Sequence, residues 1–351
     1  MKLQNILKSV RRIFLAVGSI VACAILVYWL WNPGSDITDG RFDRGQNGIW
    51  LGHGWLGHDS WFRLYRKNPD EFRGEAAIRN LFDLLKENRI RYLYPHLCPA
   101  SSEGAIAQHD PAQTEQFLKL AEEYKFEVIP WVGGPLGKRV DPASPRWRAG
   151  FVRSIESLFA EHPDLAGIQV NIEPMPSGNT HFLKLLDELR PVMGDRSLEV
   201  AAYPPPSWFH PFPQVHWEKE YLREIARRCD RMAVMMYDTA LTREKFYIRL
   251  MRVWTREVLE AAEGTKCGVL LGLPAYEDAD SGYHHPDVEH LGSALAGVHA
   301  GLENRENATY LGCAIYCEWE MTPEKWSIWQ RRFLGRETTT PATPSDAVRQ
   351  P

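Results

Sequence analysis

Between Gly48 and about Leu334 the chain repeats one unit eight times: a short apolar run of strand-forming residues, then an amphipathic stretch long enough for a helix. The runs are Gly48–His53, Arg91–His96, Glu127–Val132, Gly167–Glu173, Leu198–Tyr203, Arg231–Tyr237, Gly268–Pro274 and Gly312–Cys317. The helical stretches between and after them are Glu75–Asn88, Asp110–Tyr124, Pro145–Glu161, Thr180–Val192, Trp217–Arg228, Lys245–Glu263, Pro286–Gly301 and Thr322–Phe333. Strands separated by helices must run parallel, because a helix-length crossover returns the chain to the same end of the sheet. Eight such units in one domain close into a (β/α)8 barrel of the α/β class, assigned to residues 47–336. An open doubly wound sheet is the alternative. It usually carries a Gly-rich phosphate loop after its first strand, and Gly52-His53-Gly54-Trp55 places bulky residues there instead.

The N-terminus poses a separate problem. Lys2, Lys8, Arg11 and Arg12 lie in residues 1–12, and the 19 residues from Ile13 to Trp31 carry no charge. About 20 apolar residues cross a bilayer as a helix. Tyr28, Trp29 and Trp31 stand at the far end of the run, where rings favour the membrane interface. Basic residues before a span keep the N-terminus cytoplasmic and send the rest of the chain across the membrane. Residues 13–31 are therefore expected to be an uncleaved signal anchor, with the barrel on the extracytoplasmic side. A cleaved signal peptide is the rival reading, although Asn32-Pro33-Gly34 offers no small-x-small cleavage site. Lipoprotein processing at Cys23 is a second rival, although the apolar run continues well past it. Residues 32–46, polar and Gly-containing, read as a stalk, and 337–351, rich in Thr, Pro and Ser, as a disordered tail.

Net charge is −4, so no basic field points to nucleic acid. Five cysteines lie beyond the apolar run, an odd number that cannot pair completely within one chain. Cys313 and Cys317 fall on one predicted strand, where four residues span about 13 Å, too far for a bridge. Buried single thiols, with no disulfide framework, are expected. Thirteen Trp residues are an unusual number. Rings of this size are seldom wholly buried, so some should be open to stack on sugars or apolar ligands.

In a barrel of this kind the site lies at the C-terminal ends of the strands. The fourth strand is the most informative: Gly167-Ile168-Gln169-Val170-Asn171-Ile172-Glu173. Alternation sends Ile168, Val170 and Ile172 toward the helices and Gln169, Asn171 and Glu173 into the barrel. Three polar groups in a barrel interior are costly unless partnered. They read either as a satisfied core network or as the support of a site at the mouth, where Glu173 comes last, before Pro174.

This strand resembles that of the family 18 glycoside hydrolases, chitinases among them, whose pattern D-G-x-D-x-D-x-E falls on Ala166 to Glu173. Gly167 and Glu173 match; Ala166, Gln169 and Asn171 stand where the family has Asp. Trp131-Val132-Gly133-Gly134 is similar to the family's S-x-G-G, Met235-Met236-Tyr237-Asp238 to its M-x-Y-D, and Gly272-Leu273-Pro274-Ala275-Tyr276 to its G-x-P-x-Y. In the eighth run, Gly312–Tyr316 puts Tyr316 where the family has a sugar-stacking Trp, with Trp319 nearby. The resemblance implies a glycosidase acting on N-acetylhexosamine-containing glycans, without a cofactor. Glu173 is then the acid/base. The position of Asn171 steadies the substrate's own acetamido group, which acts as nucleophile. An N-I-E strand also resembles that of the family 85 endo-β-N-acetylglucosaminidases, so Asn at this place is compatible with catalysis. Tyr237 is implied at the acetamido carbonyl and Asp238 near the cleavage point. Trp131, Tyr203, Tyr276, Tyr316 and Trp319 are candidate sugar platforms at strand ends, and Gln169 and His53 candidate substrate contacts.

Two other functions compete. The missing Asp residues suit a catalytically inactive glycan-binding barrel. His53, His58 and His96, with Asp59, His284, His285, Glu318 and Glu320 as further donors, suit a metal-dependent hydrolase. The spacing H-x4-H lacks the tight H-x-H of such sites, and no resident metal is expected.

Overall fold

The structure, a computed structural model, describes residues 2–336 except 138, 209, 212–214, 279–282 and 306, with side chains from Arg11 onward. The expected disordered tail, 337–351, lies outside the described residues. Eight parallel strands close into a barrel. In chain order they are Asn47–Leu51, Ile90–Leu97, a third in two segments (Glu127–Val128 and Trp131–Pro135), Gly167–Glu173, Ser197–Ala202, Arg231–Met235, Gly268–Pro274 and Tyr310–Tyr316. The first strand pairs with both the second (Ile49 opposite Leu93) and the eighth (Ile49 opposite Ile315), which leaves no edge. The third strand breaks at Ile129-Pro130, where proline has no N–H for the ladder.

Strand alternation creates two cores. Ile49, Leu93, Val132, Ile168, Val170 and Ile172 point outward into the layer beneath the helices. Trp50, Tyr92, Tyr94 and Trp131 point inward and fill the barrel with rings. Side-chain caps start the helices: Asp110, Ser144 and Thr322 each accept a backbone N–H of the first turn, and each precedes a Pro. Two predicted helices are shorter in fact, Lys219–Ala226 and Leu291–Leu302, because the long connections before them belong to the mouth. A short helix not anticipated from the sequence, Asp59–Tyr65, lies in the first connection.

One ion cluster is built into the barrel interior. Glu199 is fully buried and accepts from Tyr94 Oη at 2.9 Å and Ser197 Oγ at 3.2 Å. It pairs with Arg231, whose guanidinium also reaches Glu127 at 3.1 Å and covers the Tyr92 ring at 4.1 Å. Burial pushes the Glu199 carboxyl up from its ordinary range, and Arg231 opposes that push. Removing one partner of a buried pair strands the other charge. We therefore expect Arg231→Met to lower unfolding stability by about 3–5 kcal/mol, read from the urea midpoint at unchanged slope. A loss under about 1 kcal/mol would mean that the pair contributes no more than a surface ion pair.

The N-terminal helix spans Lys2–Leu30; within it the 20 residues Arg11–Leu30, which contain an 18-residue window of mean hydropathy 2.5, are long and apolar enough to cross a membrane. Residues 32–46, expected as a stalk, lie against the barrel wall instead. Ser35 N–H donates to Ala296 O at 3.0 Å, Asp36 pairs with Arg332 at 2.7 Å, and Asp43 pairs with Arg89 at 2.7 Å. Polarity alone suggested solvent; tertiary partners that no local pattern reveals hold the segment down. The five barrel cysteines are buried thiols, with the Cys229 and Cys267 sulfurs 3.7 Å apart.

Candidate active site

The fourth strand delivers its polar row as alternation requires. Gln169 is fully buried, and its Oε1 accepts from Trp50 Nε1 at 2.7 Å, so it forms part of the barrel floor. One step up, Asn171 is buried, and its Oδ1 has no hydrogen-bond partner in the protein. The Trp131 indole N–H is likewise unpartnered. Buried polar atoms left open cost free energy, and at the bottom of a cleft they are sites for a ligand's own polar groups. Glu173 comes last. Tyr203 Oη donates to its Oε2 at 3.1 Å. Burial raises the Glu173 carboxyl above its usual range, hydrogen bonds from Asn171 and Tyr203 oppose this, and the nearby charge of Asp238 adds to it. A carboxyl pushed upward by its surroundings keeps its proton nearer neutrality, as a general acid must.

A cavity of about 360 Å³ lies over this row. It brings together Trp131, Asn171, Glu173, Tyr237, Asp238, Tyr276, Tyr316 and Trp319, all singled out in the sequence, with Trp50 as floor. Tyr237 stacks on Tyr316 with ring centroids 5.3 Å apart. Asp238 adopts a left-handed backbone (φ 61°) and takes a hydrogen bond from Tyr276 Oη; His284 Nδ1 lies 3.4 Å from its carboxylate.

The rings expected as open sugar platforms divide by what covers them. Tyr203 is buried edge-on against Trp217 at 5.7 Å, so its hydroxyl, not its face, serves the site. Tyr276 is covered by His284, with centroids 4.0 Å apart, and positions Asp238. Trp131 is 9% exposed and packs against His96. Trp319, 47% exposed, keeps an open face at the mouth. Tyr283 also lines the cavity and is exposed, which strand-end reasoning missed because it sits deep in a long connection.

Glu289 was also missed, in a stretch read as ordinary helix. It is fully buried and accepts from Thr239 N at 3.1 Å and Thr239 Oγ1 at 2.8 Å, which fixes the turn that carries Asp238. Burial pushes its carboxyl up to about 7, against the hydrogen bonds from Thr239. Below about pH 4.5 both folded and unfolded chains hold this proton. Between there and about 7 only the unfolded chain loses it, so folding stability falls as pH rises. The loss amounts to about 3 kcal/mol above pH 7. Glu289→Gln should therefore flatten the decline of the melting temperature between pH 5 and 8 relative to the parent. Parallel profiles for the two proteins would show that Glu289 does not titrate in this range.

His53 lies outside the cavity. It stacks on Trp61 at 5.4 Å and touches His96, in a neighbouring hollow of about 410 Å³. Burial lowers His53 to about 4 and, with the neighbouring His53 ring adding to it, His96 to about 2, so both are neutral rings near pH 7. His53, His58 and His96, the core of the metal reading, line this hollow together, but their ligand atoms are not close enough to share one ion, and the further donors are engaged elsewhere. His58 caps the short helix through Nδ1, Asp59 pairs with Arg73 at 2.7 Å, and Glu318 accepts from Trp55 Nε1 at 3.3 Å. His284 packs on Tyr276 and faces Asp238. Among the described residues, the one group with ligand atoms close enough to share an ion is His109, Glu161 and His162, away from the cavity residues.

No family model matches the chain, and no curated protein matches it by sequence. Solved structures do match the barrel. A chitinase from Rhizomucor miehei aligns over 83% of this chain and 100% of its own, with 13% identity and a TM-score of 0.55. A chitinase from Chromobacterium violaceum aligns over 83% and 98%, with 14% identity and a TM-score of 0.55. The spore cortex-lytic enzyme SleL of Bacillus cereus aligns over 82% and 74%, with 8% identity and a TM-score of 0.53. The chain has a closed (β/α)8 barrel of the chitinase-like type, the fold that its strand-end motifs resemble.

Proposed function

We propose that this protein is a membrane-anchored glycoside hydrolase that cleaves N-acetylhexosamine-containing glycans with help from the substrate's own acetamido group. The observation that carries the reading is a half-buried carboxylic acid, Glu173, held by Tyr203 and pushed toward its protonated form. It faces a ring-lined cavity in which the Asn171 acceptor is open. Glu173 gives its proton to the glycosidic oxygen as that bond to C1 breaks, while the acetamido carbonyl oxygen closes on C1. Asn171 Oδ1 accepts the acetamido N–H and so orients the nucleophile. Tyr237 meets the carbonyl side of the same group, and Asp238, set by Tyr276, lies beside the cleavage point. Water then opens the oxazolinium ring, and Glu173, now a carboxylate, takes its proton. Trp319 offers a face for a neighbouring sugar.

Residues 13–31 are read as the uncleaved anchor, with residues 1–12 cytoplasmic and the barrel outside. Two features support this: the 20-residue apolar helix and the basic residues that precede the uncharged run. A non-catalytic glycan-binding barrel is the second reading, favoured by Gln169, which is committed to Trp50 where the resembled family has an acid. New reducing ends from chitin, peptidoglycan and N-glycan fragments, measured with the full chain and its Glu173→Gln variant, separate the two. Cleavage by the parent alone supports the hydrolase. Binding without cleavage by either supports the second reading.

A further inference from the structure

Among the described residues, seven large apolar side chains outside the N-terminal helix are exposed, and six of them belong to one face. Leu64 and Tyr65 follow the first strand, Trp208 the fifth, Phe246 the sixth, Tyr283 the seventh and Trp319 the eighth. All six therefore lie on the side where the strands end, around the mouth; the exception, Leu84, is on a wall helix. Single exposed rings are ordinary, but a ring of them around one opening marks an interaction surface. Sugar stacking accounts for Tyr283 and Trp319, which line the cavity. Leu64 (74% exposed) and Tyr65 (58%) stand outside that cavity, at the edge of the hollow that holds His53 and His96, and Trp208 (91%) lines neither. Leu64 and Tyr65 are flanked by exposed Arg63, Arg66 and Lys67, with exposed Asp70 and Glu71 three to four residues further on.

The apolar N-terminal helix ends at this same rim. Lys245, in the first turn of the helix after the sixth strand, donates through Nζ to Tyr28 O at 2.9 Å and Trp29 O at 3.0 Å, in the last turn of the N-terminal helix, and to Trp31 O, just past its end, at 2.7 Å. The first two carbonyls have no partner within their own helix, and a cation there also meets the negative end of its dipole. Phe246 packs on Tyr28 and Trp31 at 6.1 and 5.8 Å. The chain then runs along the outer wall past Ala296 and Leu334, and enters the first strand at Asn47, at the opposite end of the barrel. The exit from the apolar helix is thus pinned beside the mouth, with no free linker between.

We propose that the mouth of the barrel is held against the bilayer that carries the N-terminal helix, and that the site takes glycans borne on that membrane. Leu64, Tyr65 and Trp208 seat in the headgroup layer, where Tyr and Trp rings are favoured. Arg63, Arg66 and Lys67 meet anionic headgroups. Glu277, Asp278 and Glu320 line the cavity, so the basic sector of the rim, not all of it, faces anionic lipid. A substrate confined to the same surface reaches the site at raised effective concentration. The proposal rests on residues 13–31 being an uncleaved anchor and, for its substrate, on the hydrolase reading.

The test uses the full chain, with Cys23→Ser removing the exposed thiol, in vesicles of phosphatidylglycerol and phosphatidylcholine. Nitroxides are placed by Leu64→Cys, by Trp208→Cys and, at the other end of the barrel, by Lys266→Cys. After alkaline extraction the chain should float with the vesicles. Labels at 64 and 208 should collide with oxygen as labels at headgroup depth do, and the label at 266 should behave as in water. A chain that fails to float overturns the anchor reading and this proposal together. A chain that floats with all three labels in water overturns this proposal alone. On a lipid-tethered N-acetylhexosamine oligomer the parent should act about tenfold faster than on the free oligomer. The triple change Leu64→Ser, Tyr65→Ser, Trp208→Ser should bring that ratio near one without lowering the rate on the free oligomer. Equal rates in the parent contradict the substrate assignment. No cleavage of either overturns the hydrolase reading, and the nitroxide result still decides the orientation.

Discussion

Glu173→Gln is expected to lower kcat on N-acetylhexosamine oligomers by about 10²–10⁴-fold, the usual contribution of a positioned acid/base. KM should stay within a few fold. Gln has the shape of Glu, and its carbonyl can still accept from Tyr203 as Glu173 does now, so the cavity should keep its form. What the amide lacks is a proton to give to the departing oxygen. That proton also fixes the pH dependence of the parent. Activity requires Glu173 protonated, so kcat should fall on the alkaline side. Because burial raises the carboxyl, that fall should come at higher pH than an exposed glutamate would give. A steady-state profile of parent and variant checks both points. A variant with unaltered kcat would remove Glu173 from the chemistry.

The second large effect is at Asn171. Its Oδ1 is buried and open, and the acetamido N–H is the group assigned to it. Asn171→Ala should lower kcat/KM by about 10²–10³-fold, the range found when one preorganised polar contact to a reacting group is removed. Asn171→Asp separates orientation from charge. An anion there can still accept the N–H, and it stabilises a developing oxazolinium better than an amide does. It also sits beside Glu173, and a like charge raises a carboxyl further. The Asp variant should therefore stay within about tenfold of the parent and carry its alkaline limb to higher pH. If Ala and Asp variants lose activity equally, Asn171 acts as a structural residue of the strand and not through its open acceptor.

Much of this was legible in the sequence because periodicity is local. The run Gly167–Glu173 announces which side chains face inward, and the structure places Gln169, Asn171 and Glu173 accordingly. Caps at Asp110, Ser144 and Thr322 are short-range signals too. What escaped depends on partners distant in the chain. Glu289 looks like any helix-flanking glutamate until Thr239, 50 residues earlier, is seen to bind it. Tyr203 and Tyr276 look like sugar platforms until Trp217 and His284 cover them. Residues 32–46 look like a free stalk until Arg332 and Arg89 hold them to the wall. The three family Asp positions that Ala166, Gln169 and Asn171 replace are not made good by another carboxylate in direct hydrogen bond with Glu173; among the described residues the acid rests on Tyr203 and Asn171.

The central claim is that the substrate's own acetamido group is the nucleophile that works with Glu173, and one comparison tests it most directly. The full chain is given an N-acetylglucosamine oligomer and, separately, the same oligomer with its acetyl groups removed, and new reducing ends are counted. The account predicts cleavage of the acetylated oligomer and none of the free amine. Equal cleavage of both, or of neither, would contradict it.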